Sequence, residues 1–363
     1  MSIKAMLKYE QLMDIYDEEV ANVNTPLDDW FGSNPEQLDD DEAILTVFSK
    51  ELRAEPLNRR GAPARVSVLK GAEKKRGAMF HMFNQLPLPM DVLHGLREPD
   101  SHLLDRKAAR EIRRQIRAFV HRQRTTRELW WSKLLTDHTI YVNRESGYIV
   151  ESSGSNVDSI TFGVPASHRD QINDGTSDAI STSWDNSSAD IIAQLEEIVR
   201  RAELANLPKP THIWCTPKIK EYIRNNTDYG SWADNIGDIS RDALRGDVME
   251  GFAGFTWHFV QEHVYEDVNG TVRRFLDDDK VILTPEQGVG WQRPVVGLDY
   301  IPSRVGLTGT VDEALSSLQE TYGPFMYASV EHNPPRLSMF AGDHFGTVVA
   351  EPEAIWTPTV VFT

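Results

Sequence analysis

The chain has 363 residues, 40% of them hydrophobic and 9% aromatic, with a formal net charge of −17. That is length for two or three domains and enough apolar material for real cores. Its single cysteine, Cys215, excludes an intrachain disulfide and points to a reducing compartment. No apolar run follows a basic start, and no apolar segment reaches the roughly 18 residues a membrane span needs. Neither a signal peptide, a membrane span nor a membrane partner is expected, so the sequons at Asn186, Asn225 and Asn269 carry no weight. The reading is of a soluble, intracellularly made protein.

Residues 3–20 read as a short amphipathic helix with Met6, Leu7, Leu12, Met13, Tyr16 and Val20 on its apolar side. From Asn22 to Asp41 the chain is polar and proline-broken and ends in an acidic run, Asp39–Glu42. This predicts an extended arm rather than a domain. Four consecutive acids without ordered ligand spacing read as a solvated charge run, not a metal site. A second short helix is expected over Glu42–Leu52. Ala64–Lys70 and Ala78–Asn84 are strand-like. Between them Gly71–Gly77, holding Glu73, Lys74, Lys75 and Arg76, reads as a charged hairpin tip. A lone two-stranded ribbon is marginal in water, so it needs something to lie on.

Pro99 to Leu135 predicts one long helix. Asp100 and Ser101 can cap its start, and Asp105 lies in the first turn, where the helix dipole favours an anion. Leu104, Ala108, Ile112, Ile116, Phe119, Trp130 and Leu134 keep helix period, with Gln123 and Thr126 as polar positions in the stripe. Arg106, Lys107, Arg110, Arg113, Arg114, Arg117, Arg122, Arg124 and Arg127 make the other face basic. The polar break predicts that the middle of this rod is not fully buried within one subunit. A bundle helix with a solvated charged face fits the same residues.

Further on, Thr139–Val142 and Tyr148–Glu151 form a predicted hairpin, and Ile160–Val164 a strand in a polar loop. Ser187–Leu204 is an amphipathic helix, Thr211–Cys215 a buried strand, and Lys218–Asn225 a helix. Arg241–Met249 reads as a helix, Phe255–Val264 as a strand, and Val272–Leu276 and Val281–Leu283 as strands around the Asp277–Asp279 turn. The tail carries strands at Leu337–Phe340, Thr347–Val349 and Thr359–Phe362. Helices and strands segregate instead of alternating, which is an α+β layout.

Walker A, GxGxxG, HExxH, GxSxG, EF-hand and CxxC patterns are absent. Gly288-Val289-Gly290 and Gly251–Gly254 read as turns, and His258, His263, His332 and His344 assemble no evident ligand set. No enzyme, cofactor or metal is expected. Charge is the stronger signal. Residues 1–55 hold 4 Lys/Arg and 14 Asp/Glu, residues 56–135 hold 18 and 7, and residues 136–363 hold 16 and 34. A basic block between acidic ones suits copies of one chain lying across each other, or a strip facing nucleic acid.

In order, these segments resemble the lambda capsid E family of tailed-phage major capsid proteins, which has the HK97 fold. The resemblance is carried by the Arg-rich helix running into Glu128–Leu135 and a hairpin. Trp184-Asp185 before an Asp190-Ile191 helix follows, then the strand, proline turn and helix of Ile213–Ile223. Phe255–Tyr265 with Asn269-Gly270 and Phe275–Leu283 comes next, and finally Leu337–Val349, Glu351-Pro352-Glu353-Ala354 and Thr359–Phe362. The N-terminal 60 residues match poorly.

The resemblance implies an N-terminal arm (1–55), an E-loop (56–98), a P-domain with the spine helix (99–160), an A-domain (161–324) and P-domain C-terminal strands (325–363). It implies self-assembly, as pentamers and hexamers, into an icosahedral head around double-stranded DNA, with scaffold, portal and decoration proteins as partners. The protein would reside in the virion after assembly in the host cytoplasm. Lys74, Lys75 and Arg76 at the loop tip, with Arg110, Arg113, Arg114 and Arg117 on the helix, are the expected contacts to a neighbouring subunit or to DNA. Some HK97-fold shells cross-link a lysine of this loop to a neighbour's asparagine; here Lys74 and Lys75 read as electrostatic. An encapsulin-like compartment is the related alternative, and a soluble acidic enzyme or nucleic-acid-binding protein the different one.

Overall fold

The computed structural model describes residues 9–39, 43–48, 72–87, 102–236 without 174 and 176, 246–302 without 261–263, 268 and 289, and 318–362 without 333 and 334. In chain order the helices are α1 (Tyr9–Val20), α2 (Pro26–Phe31), α3 (His102–Thr136), α4 (Ile191–Leu204), α5 (Pro217–Asn225) and α6 (Thr227–Ile236). The strands used below are β1 (Glu36–Leu38), β2 (Ala43–Phe48), β3 (Ala72–Pro87), β4 (Thr139–Asn143), β5 (Ile149–Val150), β6 (Val157–Thr161), β7 (Arg169–Asp170), β8 (His212–Cys215), β9 (Val248–Glu250) and β10 (Thr256–Phe259). They continue with β11 (Val264–Glu266), β12 (Val272–Arg274), β13 (Ile282–Thr284), β14 (Gln292–Pro302), β15 (Leu318–Tyr322), β16 (Phe325–His332), β17 (Pro335–Val349) and β18 (Thr357–Pro358).

The largest sheet runs β1-β14-β17-β3-β2, with β15 added to β14 and β16 to β17. β1 lies parallel to β14, while β17 is antiparallel to β3 and to β16. A four-stranded sheet runs β13-β8-β10-β9, a three-stranded one β5-β4-β6, and the pairs β11-β12 and β18-β7 complete the set. The chain divides into two units: residues 1–43, 77–131 and 293–348, and residues 44–76, 132–292 and 349–363.

The first unit is built on α3. Its 35 residues make a rod of roughly 50 Å. Residues Ile112, Ile116, Phe119 and Val120 form the buried stripe. They meet Leu12, Ile15 and Tyr16 of α1 on one side and Leu86, Met326, Ala328, Met339 and Ala341 of the sheet on the other. Alternation along β17 turns Met339, Ala341, Asp343 and Phe345 to one face and Ser338, Phe340, Gly342 and His344 to the other. Phe345 meets Trp130 edge-on and its cross-strand partner Phe80 packs tilted against the same indole.

The second unit has its own core. Ile191, Leu195, Ile198 and Ala202 of α4 pack with Trp184, Phe252, Trp257, Ile213 and, from the chain end, Trp356 and Val360. Asp190 caps α4 by accepting from the Ala193 N–H at 2.9 Å. Two fully buried indoles satisfy their N–H groups locally: Trp184 on Gln194 Oε1 (2.8 Å) and Trp257 on the Phe252 carbonyl (3.0 Å).

Several expectations are corrected. Residues 43–48 of the expected second helix form strand β2, and residues 248–249 of the expected Arg241–Met249 helix lie in β9. Val248 and Met249 are claimed by ladder bonds to β10, a non-local pairing that overrides local helix propensity. Residues 72–77, expected as a hairpin tip, continue strand β3, while the proposed partner strand Ala64–Lys70 lies outside the described residues. Of the three expected tail strands, Leu337–Phe340 and Thr347–Val349 are one, β17, and in place of Thr359–Phe362 the strand is β18, Thr357–Pro358, with Thr359 in a single bridge to Lys280. Residues 26–31 form a helix where an extended arm was expected, because Pro26 suits a first helical turn.

Candidate functional site

The sequence-predicted arginines repeat at i, i+3, i+4 and i+7 along α3, which puts them on one helix face. The acidic α1 lies along that face. Arg117 grips Glu19 with two bonds, Nε to Oε2 at 2.7 Å and Nη2 to Oε1 at 3.0 Å. This hydrogen-bonded guanidinium holds the buried Glu19 carboxyl below its ordinary pKa. Arg113 reaches Glu18 at 3.7 Å, and Arg114 bonds Glu111 on its own helix at 2.7 Å. Such exposed pairs are worth up to about 1 kcal/mol each. The Arg113, Arg114 and Arg117 side chains stay more than half exposed, so each keeps guanidinium surface facing solvent. Arg110 is exposed as well. Lys74, Lys75 and Arg76 belong to strand β3; their side chains lie outside what is described.

Two turns further on the same helix changes character. Arg124 and Arg127, counted in the sequence with the solvated basic face, are nearly buried. Arg127 donates from Nε to Asp28 Oδ1 (3.0 Å) and from Nη1 to Asp343 Oδ2 (3.2 Å), with its guanidinium 5.3 Å from the Phe345 ring centre. Arg124 bonds Asp28, Asp29 and Thr25. The Trp131 indole N–H also donates to Asp28, at 3.0 Å. Burial opposes the charge on Arg127, but Asp343 and Asp28 outweigh it and raise its pKa above arginine's ordinary value.

Glu128 completes the cluster. Its two carboxyl oxygens accept the backbone N–H groups of Leu27 (3.1 Å) and Asp28 (2.8 Å) at the start of α2. Burial raises its pKa to about 7 against the pull of those two bonds, and neighbouring Asp28 and Asp29 push the same way. Gly32 fits here because a β-carbon would press on the Asp28 carboxylate and backbone. Gln123, read as a polar break that leaves the rod incompletely buried, is only 2% exposed and accepts from the Tyr16 hydroxyl at 2.7 Å. The middle of the rod is thus covered by the chain's own N-terminal segment, which corrects the earlier expectation.

Sequence reasoning missed Asp28, Asp343 and Glu128 as partners. The available signal was that Gln123 and Arg127 fall on the continuation of the apolar stripe, where a polar group must be paired if buried.

In the second unit, His258 meets His212 (His258 Nε2 to His212 Nδ1, 3.0 Å) and stacks on Trp214, and burial lowers its pKa to about 4. Asp277 and Asp278 are taken up by Lys280 and Arg274. Among the described residues no group of three or more His, Cys, Asp or Glu is arranged to hold a metal ion, and no helix is long and apolar enough to cross a membrane.

Two solved structures share the architecture along its whole length. One, assigned as a capsid protein of a prophage of E. coli CFT073, is 12% identical with a TM-score of 0.56, covering 98% of this chain and 99% of the other. The second, a phage-related protein from Bordetella bronchiseptica RB50, is 10% identical with a TM-score of 0.51, covering 95% and 96%. Among curated proteins none matches. The long helix under a mixed sheet, joined to a second α/β core, is the α+β HK97-type fold of shell subunits. The sequence model of the family described as phage major capsid protein E matches residues 13–309, and the chain belongs to that family. It is a structural protein of the bacteriophage virion, which self-assembles into the icosahedral shell of the head.

Proposed function

We propose that the chain forms the pentamers and hexamers of a head that closes around double-stranded DNA, assembled in the host cytoplasm with scaffold, portal and decoration proteins. The family match over residues 13–309 carries this reading. In it, residues 1–55 are the N-terminal arm, 56–98 the E-loop, 99–160 the P-domain with its spine helix, 161–324 the A-domain and 325–363 the P-domain strands. Residues 78–87 of the E-loop pair with β17 in the subunit's own sheet, so a reach onto a neighbouring subunit falls to the part of the loop before them.

Lys74, Lys75, Arg76, Arg110, Arg113, Arg114 and Arg117 take part in contacts between subunits. Support for a protein rather than a DNA partner is that Arg113, Arg114 and Arg117 already engage carboxylates while keeping exposed surface. The flanking acidic segments supply more of the same chemistry on a neighbour. Charge reversal at Arg113 and Arg117 tests it. Loss of shells supports the subunit role; empty but intact shells would move these residues to DNA, and normally filled shells would remove both roles.

A further inference from the structure

The strongest polar feature of the first unit is the buried acid cluster beneath α2. Three carboxyl groups, Asp28, Asp29 and Asp343, meet two guanidinium groups, Arg124 and Arg127, and a fourth, Glu128, joins them through the backbone N–H of Asp28. The side chains of Asp28 and Asp343 are fully buried. Fully ionised, the cluster would bury more negative than positive charge, which a low-dielectric site opposes. A single proton on the acids relieves much of the imbalance. Glu128 is placed to carry it, since it is buried with no arginine partner and its two α2 N–H bonds offset only part of that burial.

We propose that residues 25–32 are a proton-dependent clasp on α3, closed while the buried acids Glu128 and Asp343 hold a proton between them and loosened when that proton leaves. Among the described residues, Asp28 and Asp29 face Glu128 from α2. Arg124 and Arg127 of α3, Asp343 of β17 and the Tyr16 hydroxyl of α1 belong to the same network through Asp28. Burial pushes Asp343 in the same direction as Glu128, and it raises Tyr16 far from the working range. The arginines stay charged throughout, so the acids set the response. The clasp is a property of the subunit and stands whether or not the shell contacts proposed above are right.

The sign follows from proton linkage. Glu128 titrates at its ordinary 4.5 when released and at about 7 when docked. The docked form therefore binds more protons between those limits, and docking weakens as pH rises through that window. One such proton makes opening roughly 70-fold more frequent at pH 8 than at pH 5, about 40-fold of it reached by pH 7.

Hydrogen exchange of peptides covering residues 20–36, in the full-length protein from pH 5 to pH 8 and corrected for intrinsic exchange, reads this directly. Protection should fall by tens of fold up to pH 7 and then level off. Glu128→Gln, which has no proton to lose, should flatten the profile and keep the segment protected at pH 8. Constant or rising protection in the native protein overturns the proposal and needs no variant. A folded Glu128→Gln that keeps the native pH slope overturns it as well.

Discussion

Replacing Asp28 by alanine removes one carboxylate that serves three donors at once. Arg127 keeps Asp343, and Arg124 keeps Asp29 and Thr25, but the Trp131 indole loses its partner inside the core. Breaking a buried ion pair from one side costs about 3–5 kcal/mol, because the remaining charge stays desolvated. An orphaned buried N–H adds roughly 1–3 kcal/mol of its own, partly counted in the first figure. A loss of about 4 kcal/mol is expected, a large share of a domain's total of roughly 5–15 kcal/mol. Asp28→Asn keeps an acceptor for the indole and should cost about half as much. Native-state hydrogen exchange of peptides within 109–131 measures this in the first unit without requiring the whole chain to unfold in one step. The reasoning also demands coupling: in an Arg127→Met background the Asp28→Ala cost should shrink by more than about 1.5 kcal/mol. A single-variant cost below about 1 kcal/mol, or no coupling, would refute the buried pairing.

Further expectations follow from the same geometry. Gly32→Ala should open the clasp, seen as faster exchange over residues 25–32, because its methyl presses on Asp28. Trp184→Ala should destabilise the second unit by about 3–5 kcal/mol, and Trp184→Phe by less, since phenylalanine keeps most of the packing but takes the indole donor from Gln194 Oε1. His138 and His258 are both held neutral by burial, with pKa values lowered to about 4. A lowered histidine pKa gives stability that is lost as pH falls from 6.5 towards 4. Acid should therefore loosen the second unit over a range where it tightens the clasp of the first, and exchange in the two units should move in opposite directions. Cys215 is fully buried, which raises its thiol pKa. It should resist thiol reagents in the native protein and react on unfolding.

The sequence was most legible where one element satisfies itself. Helix period alone placed α3 within a few residues, and an amphipathic pattern with Asp190 at its start placed α4. The hairpin of β4 and β5 was legible from its turn, where the Asn143 side chain caps the bend. What failed depended on partners far along the chain. Residues 43–48 are a short continuous apolar run that fits helix or strand equally, and pairing beside β3 decides it. Strand β14 contains Pro294 and Gly297, which locally read as breakers, yet it is central in its sheet. Gly297 is required there because the His344 ring occupies the space a β-carbon would fill. The arginines of α3 look alike in sequence. Only the return of residues 25–29 and of β17 separates the buried Arg124 and Arg127 from the exposed Arg113 and Arg117. A charge pattern counts residues, whereas burial depends on which distant acid comes to meet each one.

The account as a whole rests on identical copies closing into a shell. Size-exclusion chromatography of the expressed full-length chain, with negative-stain electron microscopy of its fractions, tests that most directly. Closed particles of uniform diameter and icosahedral outline are predicted, alone or with the head proteins that accompany it. A chain that stays monomeric or dimeric under both conditions would contradict it.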